Sequence, residues 1–147
     1  MPAFFGAGNQ ALSLVRSLAA RGDHVAAAIM AMMDNTYYLE MVPGVEAGGG
    51  AAANSIRVAC QVRDQDGNAV AGIKNVLITS KPVSGVGTIT DGGAGAVVAG
   101  SGSVSCWMTT DADGVLEFDV LNAAIEVNLV KAELDNGTTE LLVLTFA

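Results

Sequence analysis

The chain has 147 residues, of which 51% are hydrophobic and only 15% are charged, and its formal net charge at pH 7 is −8. This length and composition suit one ordinary domain with an extension and argue against disorder of the whole chain. The acidic balance argues against partners that are themselves negatively charged, namely nucleic acids and anionic membrane surfaces.

Residues 1–54 are predicted to form a helical or extended anchoring region. Asn9 is a suitable N-cap for a first helix that ends near residue 21, where Gly22 fits the position after a helix end. Asp23 then caps a second helix that covers about residues 24–33. The second helix is apolar on almost every side, which favours burial either against the first helix or against another subunit.

The side chains expected to contact a partner are apolar or aromatic and lie in this N-terminal region. They are Leu12, Val15, Leu18, Ile29, Met32, Met33, Tyr37 and Tyr38. The two tyrosines fit a subunit contact, since amphipathic aromatic residues favour interfaces, and fit equally well a role in covering the base of the following domain. A short strand is predicted over residues 37–42, and the small-residue run 46–54 is predicted to be a linker that marks the domain boundary.

Residues 55–147 are predicted to form an antiparallel β-sandwich. Short runs that alternate in polarity or are rich in β-branched residues recur there without a helical period. The predicted strands cover residues 56–63, 75–80, 88–90, 103–109, 115–121, 125–134 and 139–146. Asn136-Gly137 predicts a hairpin with a type I′ turn, because this dipeptide readily supplies positive φ.

Two Asp/Gly runs, residues 64–68 and 111–114, resemble calcium loops at first sight. The residue at position twelve of an EF-hand loop is a glutamate, whereas Asn75 and Asn122 stand at those positions here. Both runs are therefore interpreted as turns, in which Asp and Gly are common for conformational reasons.

The remaining candidates for chemistry are isolated residues. His24 is the only histidine, and it lies beside a helix cap, which disfavours a catalytic dyad or a zinc site built on it. Cys60 and Cys106 form no Cys-x-x-Cys motif and are expected to be two buried thiols, although a disulfide is the alternative. Trp107 is expected to fill the core between the sheets, and an exposed role in stacking on carbohydrate is the alternative. No cofactor, metal or enzymatic activity is expected.

The order of motifs in residues 55–147 resembles bacterial immunoglobulin-like domains of the invasin/intimin type. The motifs are an Asp-x-x-Gly-Asn turn at residues 64–68, a β-branched strand at 76–79, a Thr-Asp turn and strand at 110–116, and a closing hairpin at 130–137. Ala69 departs from the family pattern, which has proline there, and residues 73–75 include one extra residue. The resemblance implies a mainly β, immunoglobulin-like antiparallel sandwich.

A single immunoglobulin-like domain joined to a short apolar region, without a basic segment typical of a secretion signal, also resembles virion proteins of tailed bacteriophages. That setting implies a head decoration protein that is assembled in the host cytoplasm and binds the major capsid protein or another virion protein. The apolar second helix predicts self-association, with a trimer as the expected oligomer. The alternatives are a tail or head-fibre component, and an adhesin or glycan-binding module that uses Trp107 and the Gly-rich loops 85–102.

Overall fold

The computed structural model describes residues 14, 16–18, 20–25, 36–47 and 54–147, and structural statements below concern these residues. The fold is mainly β, as predicted. Its strands are β1 (Tyr38–Pro43), β2 (Ser55–Arg63), β3 (Asn75–Pro82), β4 (Thr88–Asp91), β5 (Ala96–Ala99), β6 (Ser105–Thr109), β7 (Val115–Leu121), β8 (Val127–Leu134) and β9 (Thr139–Thr145).

The strands form two antiparallel sheets that pack as a sandwich. The four-stranded sheet has the order β1-β2-β7-β4, and the five-stranded sheet has the order β5-β6-β3-β8-β9. This arrangement confirms the antiparallel β-sandwich that the sequence patterns and the family resemblance imply. Strand β5 was not predicted, because its sequence Ala-Val-Val-Ala lies between glycine-rich loops and its strand conformation depends on pairing with β6.

Alternation along each strand supplies the core. In β2 and β7 every second side chain is buried, and Val58 lies opposite the buried Phe118 across the two strands. Among the described residues, those that form the core cluster are found between Tyr37 and Phe146 in the sequence. Cys60 and Cys106 are buried free thiols on the two facing sheets, which confirms the expected reduced pair.

Strand β1 lies on the N-terminal side of the predicted domain boundary and yet belongs to the sandwich. It pairs with β2 along its whole length, from Tyr38 opposite Arg63 to Pro43 opposite Val58. The sandwich therefore starts at about residue 37. Of the predicted linker at residues 46–54, residues 48–53 lie outside the described residues.

Three turns at one end of the sandwich share one geometry. They span residues 64–68, 111–115 and 134–138. In each turn the carbonyl of the first residue accepts a hydrogen bond from the glycine in fourth place at 3.0–3.1 Å, and that glycine has a φ of 77–86°. No described residue other than glycine has positive φ, so the predicted type I′ turn at Asn136-Gly137 is wrong. The bonds and the single positive φ match a three-residue loop with a glycine bulge, which also suits the right-handed twist of a hairpin.

Before β1, the described residues 14, 16–18 and 20 are helical, and so are residues 24–25. Gly22 lies between them with a φ of 88°, and the amide of Asp23 donates to the carbonyl of Leu18 at 3.2 Å. That pattern is a helix-ending motif in which glycine follows the last helical residue, as the sequence predicted. The greater part of both predicted helices lies outside the described residues, so their extents stay predictions.

Candidate functional site

The residues predicted to contact a partner are only partly described. Leu12, Val15, Ile29, Met32 and Met33 lie outside the described residues. Of the others, Leu18 and Tyr38 are half-buried, and Tyr37 is 8% exposed. The structure therefore brings Tyr37 and Tyr38 together at the start of β1 and gives no arrangement for the rest of the set.

Hydrogen bonds of Tyr37 connect the start of β1 to the β8–β9 hairpin. Its hydroxyl donates to the carboxylate of Asp135, and its carbonyl accepts hydrogen bonds from Asn136 Nδ2 at 2.9 Å and Thr138 Oγ1 at 3.0 Å. The ammonium of Lys74 lies 4.6 Å from the ring centroid. Burial, followed by the neighbouring Asp135 carboxylate, raises the pKa of the Tyr37 hydroxyl to about 12. Tyr37 thus covers one end of the sandwich, which is one of the two roles predicted for it.

Trp107 is exposed, and the prediction that it fills the core is wrong. Its neighbours Cys106 and Met108 in β6 are fully buried, whereas 51% of Trp107 is accessible to solvent. Successive side chains of a strand point to opposite faces, so the residue between two inward-facing side chains must face outward. Trp107 therefore lies on the outer face of the five-stranded sheet.

The two outer faces of the sandwich differ in chemistry. On the four-stranded sheet, cross-strand ion pairs join Arg57 to Asp119 and Arg63 to Glu40, each at 2.9 Å. The outward residues of β3, β6, β8 and β9 on the five-stranded sheet are mostly polar, but they include six large apolar side chains. They are Leu77, Trp107, Val127, Leu129, Leu141 and Val143, and we call this set the apolar face.

A cleft lies at the end of the apolar face that is nearest to Tyr37. Its volume is about 410 Å³, and Asn75, Leu77, Trp107, Glu133, Leu134 and Asp135 line it. We call it the Trp107 cleft. Leu77 pairs with Trp107 on one side and with Glu133 on the other, so these three residues form a row across three strands. Since neighbouring strands are separated by about 4.8 Å, the two outer residues of the row are about 10 Å apart.

The polar rim of the Trp107 cleft is held in place by the backbone. Asn75 and Asp135 are joined by a hydrogen bond from the Asp135 amide to the Asn75 carbonyl at 3.1 Å, and the Asn75 amide approaches Asp135 Oδ2 at 3.4 Å. The other Asp135 oxygen accepts the Tyr37 hydroxyl. Glu133 faces Lys131 at 3.8 Å with both side chains half exposed, an arrangement that contributes little energy and leaves the carboxylate accessible.

The Gly-rich loops predicted to join Trp107 in a binding site do not gather around it. Only β5 reaches it, with Ala99 opposite Trp107. The loop at residues 92–95 contacts Glu117 and Leu116, and residues 84–85 bind Glu126 at the far end of the sandwich. The outward row on β3, β6 and β8 was missed by sequence reasoning, although the strict alternation of β6 was a sufficient signal for the position of Trp107.

The Asp/Gly runs are turns, as interpreted from the sequence. Asp64 Oδ1 accepts the amides of residues 66 and 68 at 2.9 Å, and Asp111 Oδ1 accepts the amides of residues 113 and 115 at the same distance. Each carboxylate is therefore used to hold its own loop. Across the described residues, His, Cys, Asp and Glu side chains form no group of three or more that is suited to a metal ion.

A second polar cluster, centred on Glu126, lies at the opposite end of the sandwich. Its carboxylate accepts hydrogen bonds from Asn122 Nδ2, the Ser84 hydroxyl, and the amides of Ser84 and Gly85, all at 2.8 Å. The Asn122 bond, together with those from Ser84 and Gly85, outweighs the opposing effect of burial and lowers the pKa of Glu126 to about 2. This cluster ties the 83–87 loop to the 122–126 loop and has a structural role.

The two cysteines have no sign of activation. Burial raises the pKa of the Cys60 thiol, and burial likewise raises that of Cys106, with smaller contributions from nearby carboxylates. A reactive cysteine needs the opposite shift, because the thiolate is the nucleophile.

In the part of the chain that is described, no helix is both long and apolar enough to cross a membrane.

No protein-family model and no curated protein matches this chain. Solved structures with a similar arrangement include a conjugative transposon lipoprotein from Bacteroides eggerthii, which is 12% identical, with 76% of this chain and 96% of that chain covered and a TM-score of 0.44. A lipoprotein from Bacteroides thetaiotaomicron is 15% identical, with coverages of 75% and 78% and a TM-score of 0.43.

The adhesin InvE from Yersinia pseudotuberculosis is 20% identical, with 75% of this chain and 32% of that chain covered and a TM-score of 0.44. Likenesses at this level say nothing about function. The β-sandwich of this protein rests on its own strand order and registers.

Proposed function

We propose that this protein is a non-catalytic structural component of a bacteriophage virion, most specifically a decoration protein that stabilises the head. Residues 1–36 attach the protein to the major capsid protein or another virion protein and to sister copies, with a trimer as the expected oligomer. The sandwich is a rigid domain that residues 1–36 connect to the particle.

The observations that carry the proposal are the apolar run before Tyr37 and the exposure of Leu14 and Val25 in the same region. Every core residue of the described chain lies at or after Tyr37, and the two inner sheet faces supply that core. Of the described residues before Tyr37, Leu14 is 61% exposed and Val25 is 71% exposed. The apolar run over residues 25–33 lies almost entirely outside the described residues, and a run without a polar face favours burial against other apolar surface.

The hydrogen bonds of Tyr37, where the N-terminal region meets the sandwich, support a mechanical role. Tyr37 is fixed by its hydrogen bonds to the hairpin at residues 135–138, directly after the apolar run. A force applied to the N-terminal region would then act on the two sheets through the hydrogen bonds of Tyr37. A tail or head-fibre component would use the same attachment, and the location of the protein in the particle distinguishes the two.

The test combines oligomeric state with binding to particles. The full-length protein is examined by sedimentation velocity and by co-sedimentation with purified virions, next to the double variant Ile29→Asp/Met32→Asp. We expect the unmodified chain to self-associate and to sediment with particles. The double variant should lose both properties and keep the thermal unfolding midpoint of its sandwich, because charged side chains oppose apolar burial.

Ser17→Asp is the matched control, since Ser17 is an exposed residue of the same region and the variant gains a charge of the same sign. It should behave like the unmodified chain. A monodisperse monomer that does not sediment with particles would contradict the proposal.

A further inference from the structure

The Trp107 cleft has the composition of a small-ligand site that the proposed attachment does not use. It combines a half-exposed indole, the half-buried side chain of Leu77, and a rim of two carboxylates and one amide. Ligand sites are typically concave and mostly apolar, with a few polar groups that converge from different elements. Here the polar groups come from β3, β8 and the turn that follows β8.

The rim groups are available to a ligand. Within the described chain the hydrogen bonds of Asn75 run through its backbone, so its side-chain amide remains free to donate and accept. Among the described residues, the ion pair given for Glu133 is the long contact to Lys131 at 3.8 Å. The Asp135 carboxylate accepts hydrogen bonds from the Tyr37 hydroxyl and the Asn75 amide. These bonds preorganise the rim for a ligand.

We propose that the Trp107 cleft binds a neutral saccharide. One face of a pyranose ring is apolar and fits against an exposed indole, while its hydroxyl groups donate to carboxylates and exchange hydrogen bonds with an amide. The backbones of Trp107 and Glu133 are about 10 Å apart, with Leu77 between them, and this spacing suits one sugar ring lying over Leu77. A saccharide satisfies the apolar and the polar parts of the cleft at the same time.

Charge excludes the other ligands that stack on tryptophan. Nucleotides and sialylated or sulfated glycans bring negative charge next to Glu133 and Asp135, on a protein whose net charge is −8. An apolar protein segment would leave the Glu133 carboxylate and the Asn75 side-chain amide poorly paired, which costs free energy on burial.

The experiment uses the full-length protein, labelled on its amines, on an array of neutral and anionic glycans, followed by calorimetric titration of the best neutral oligosaccharide. The protein has a single tryptophan, so a shift of its emission on titration reports directly on the cleft. We expect saturable binding to neutral glycans and a blue shift. Trp107→Ala should weaken binding at least tenfold, about 1.4 kcal/mol, while Trp107→Phe should retain part of the affinity.

Glu133→Gln should weaken binding through the loss of a charged acceptor, with no change in the array preference for neutral over anionic glycans. Val143→Ala is the matched control, because Val143 is exposed on the same face outside the cleft and should bind normally. The absence of neutral glycan binding, stronger binding to anionic glycans, or unchanged binding by Trp107→Ala would each overturn the proposal. So would a loss of particle binding by Trp107→Ala without any saccharide binding, which would assign the cleft to a protein partner.

The saccharide site and the virion role can fail separately. Ile29→Asp/Met32→Asp should lose assembly and keep saccharide affinity, whereas Trp107→Ala should lose saccharide affinity and keep assembly.

Discussion

The substitution Asp111→Ala tests whether the Asp/Gly runs stabilise the fold as turns. One oxygen of Asp111 accepts the amides of Asp113 and Val115, both at 2.9 Å, and the substitution removes both hydrogen bonds. An intramolecular hydrogen bond contributes about 1 kcal/mol net, and loss of an equivalent side-chain acceptor at a helix N-cap costs about 0.5–2 kcal/mol. We therefore expect the free energy of unfolding to fall by about 2 kcal/mol. For a chain of this size the melting temperature should then fall by roughly 4–8 °C.

The assay is thermal and urea unfolding followed by far-ultraviolet circular dichroism, with and without millimolar calcium. Asp113→Ala is the control in the same turn. Its side chain is exposed, and the Asp113 carboxylate has no hydrogen bond to the described chain, so its removal should change stability by less than about 0.5 kcal/mol. Both variants remove one negative charge, and this comparison cancels the general effect of charge.

Equal losses in the two variants would refute the turn interpretation. A rise in melting temperature on adding calcium that Asp111→Ala abolishes would refute it more strongly, because it would show that the carboxylate serves a metal ion.

Three further predictions concern the core, the Glu126 cluster and the thiols. Phe118→Ala, at a fully buried position, should cost about 3–5 kcal/mol in urea unfolding, and Leu141→Ala on the exposed face less than about 1 kcal/mol; similar costs would contradict the assigned strand faces. The folded-state pKa of Glu126 is lowered to about 2, so its stabilising effect is present above its ordinary pKa and is lost as pH falls through 2. Glu126→Gln should therefore flatten the acid limb of a plot of unfolding free energy against pH, and an unchanged limb would disprove the role of the cluster. Cys60 and Cys106 should react with a thiol reagent only after denaturation, and rapid labelling of the native protein would contradict their burial.

Much of the sandwich was predictable because its strands alternate in polarity and its turns carry Asp and Gly. Ile56, Val58 and Val62 alternate with outward residues, and the structure buries them. The extent of β1 and the existence of β5 were harder to predict, since both are edge strands whose conformation depends on pairing with a single neighbouring strand. The hairpin turn at Asn136-Gly137 was predicted in place and wrong in type, because the loop has three residues and the dipeptide does not fix its length.

The candidate site was less predictable than the fold. Trp107 was expected in the core because large aromatic residues are usually buried, but alternation with Cys106 and Met108 outweighs that preference. The cleft also depends on registers that bring Asn75, Leu77 and Glu133 beside Trp107, and such registers between distant strands are not contained in any local pattern.

The most direct test of the central claim is quantitative mass spectrometry of phage particles that have been banded in a density gradient and washed with high salt. If the protein is a decoration component attached through its N-terminal region, it should be present at a fixed ratio to the major capsid protein. That ratio should collapse when the particles are assembled with Ile29→Asp/Met32→Asp. Absence of the protein from the banded particles, or an unchanged ratio with the double variant, would contradict the account.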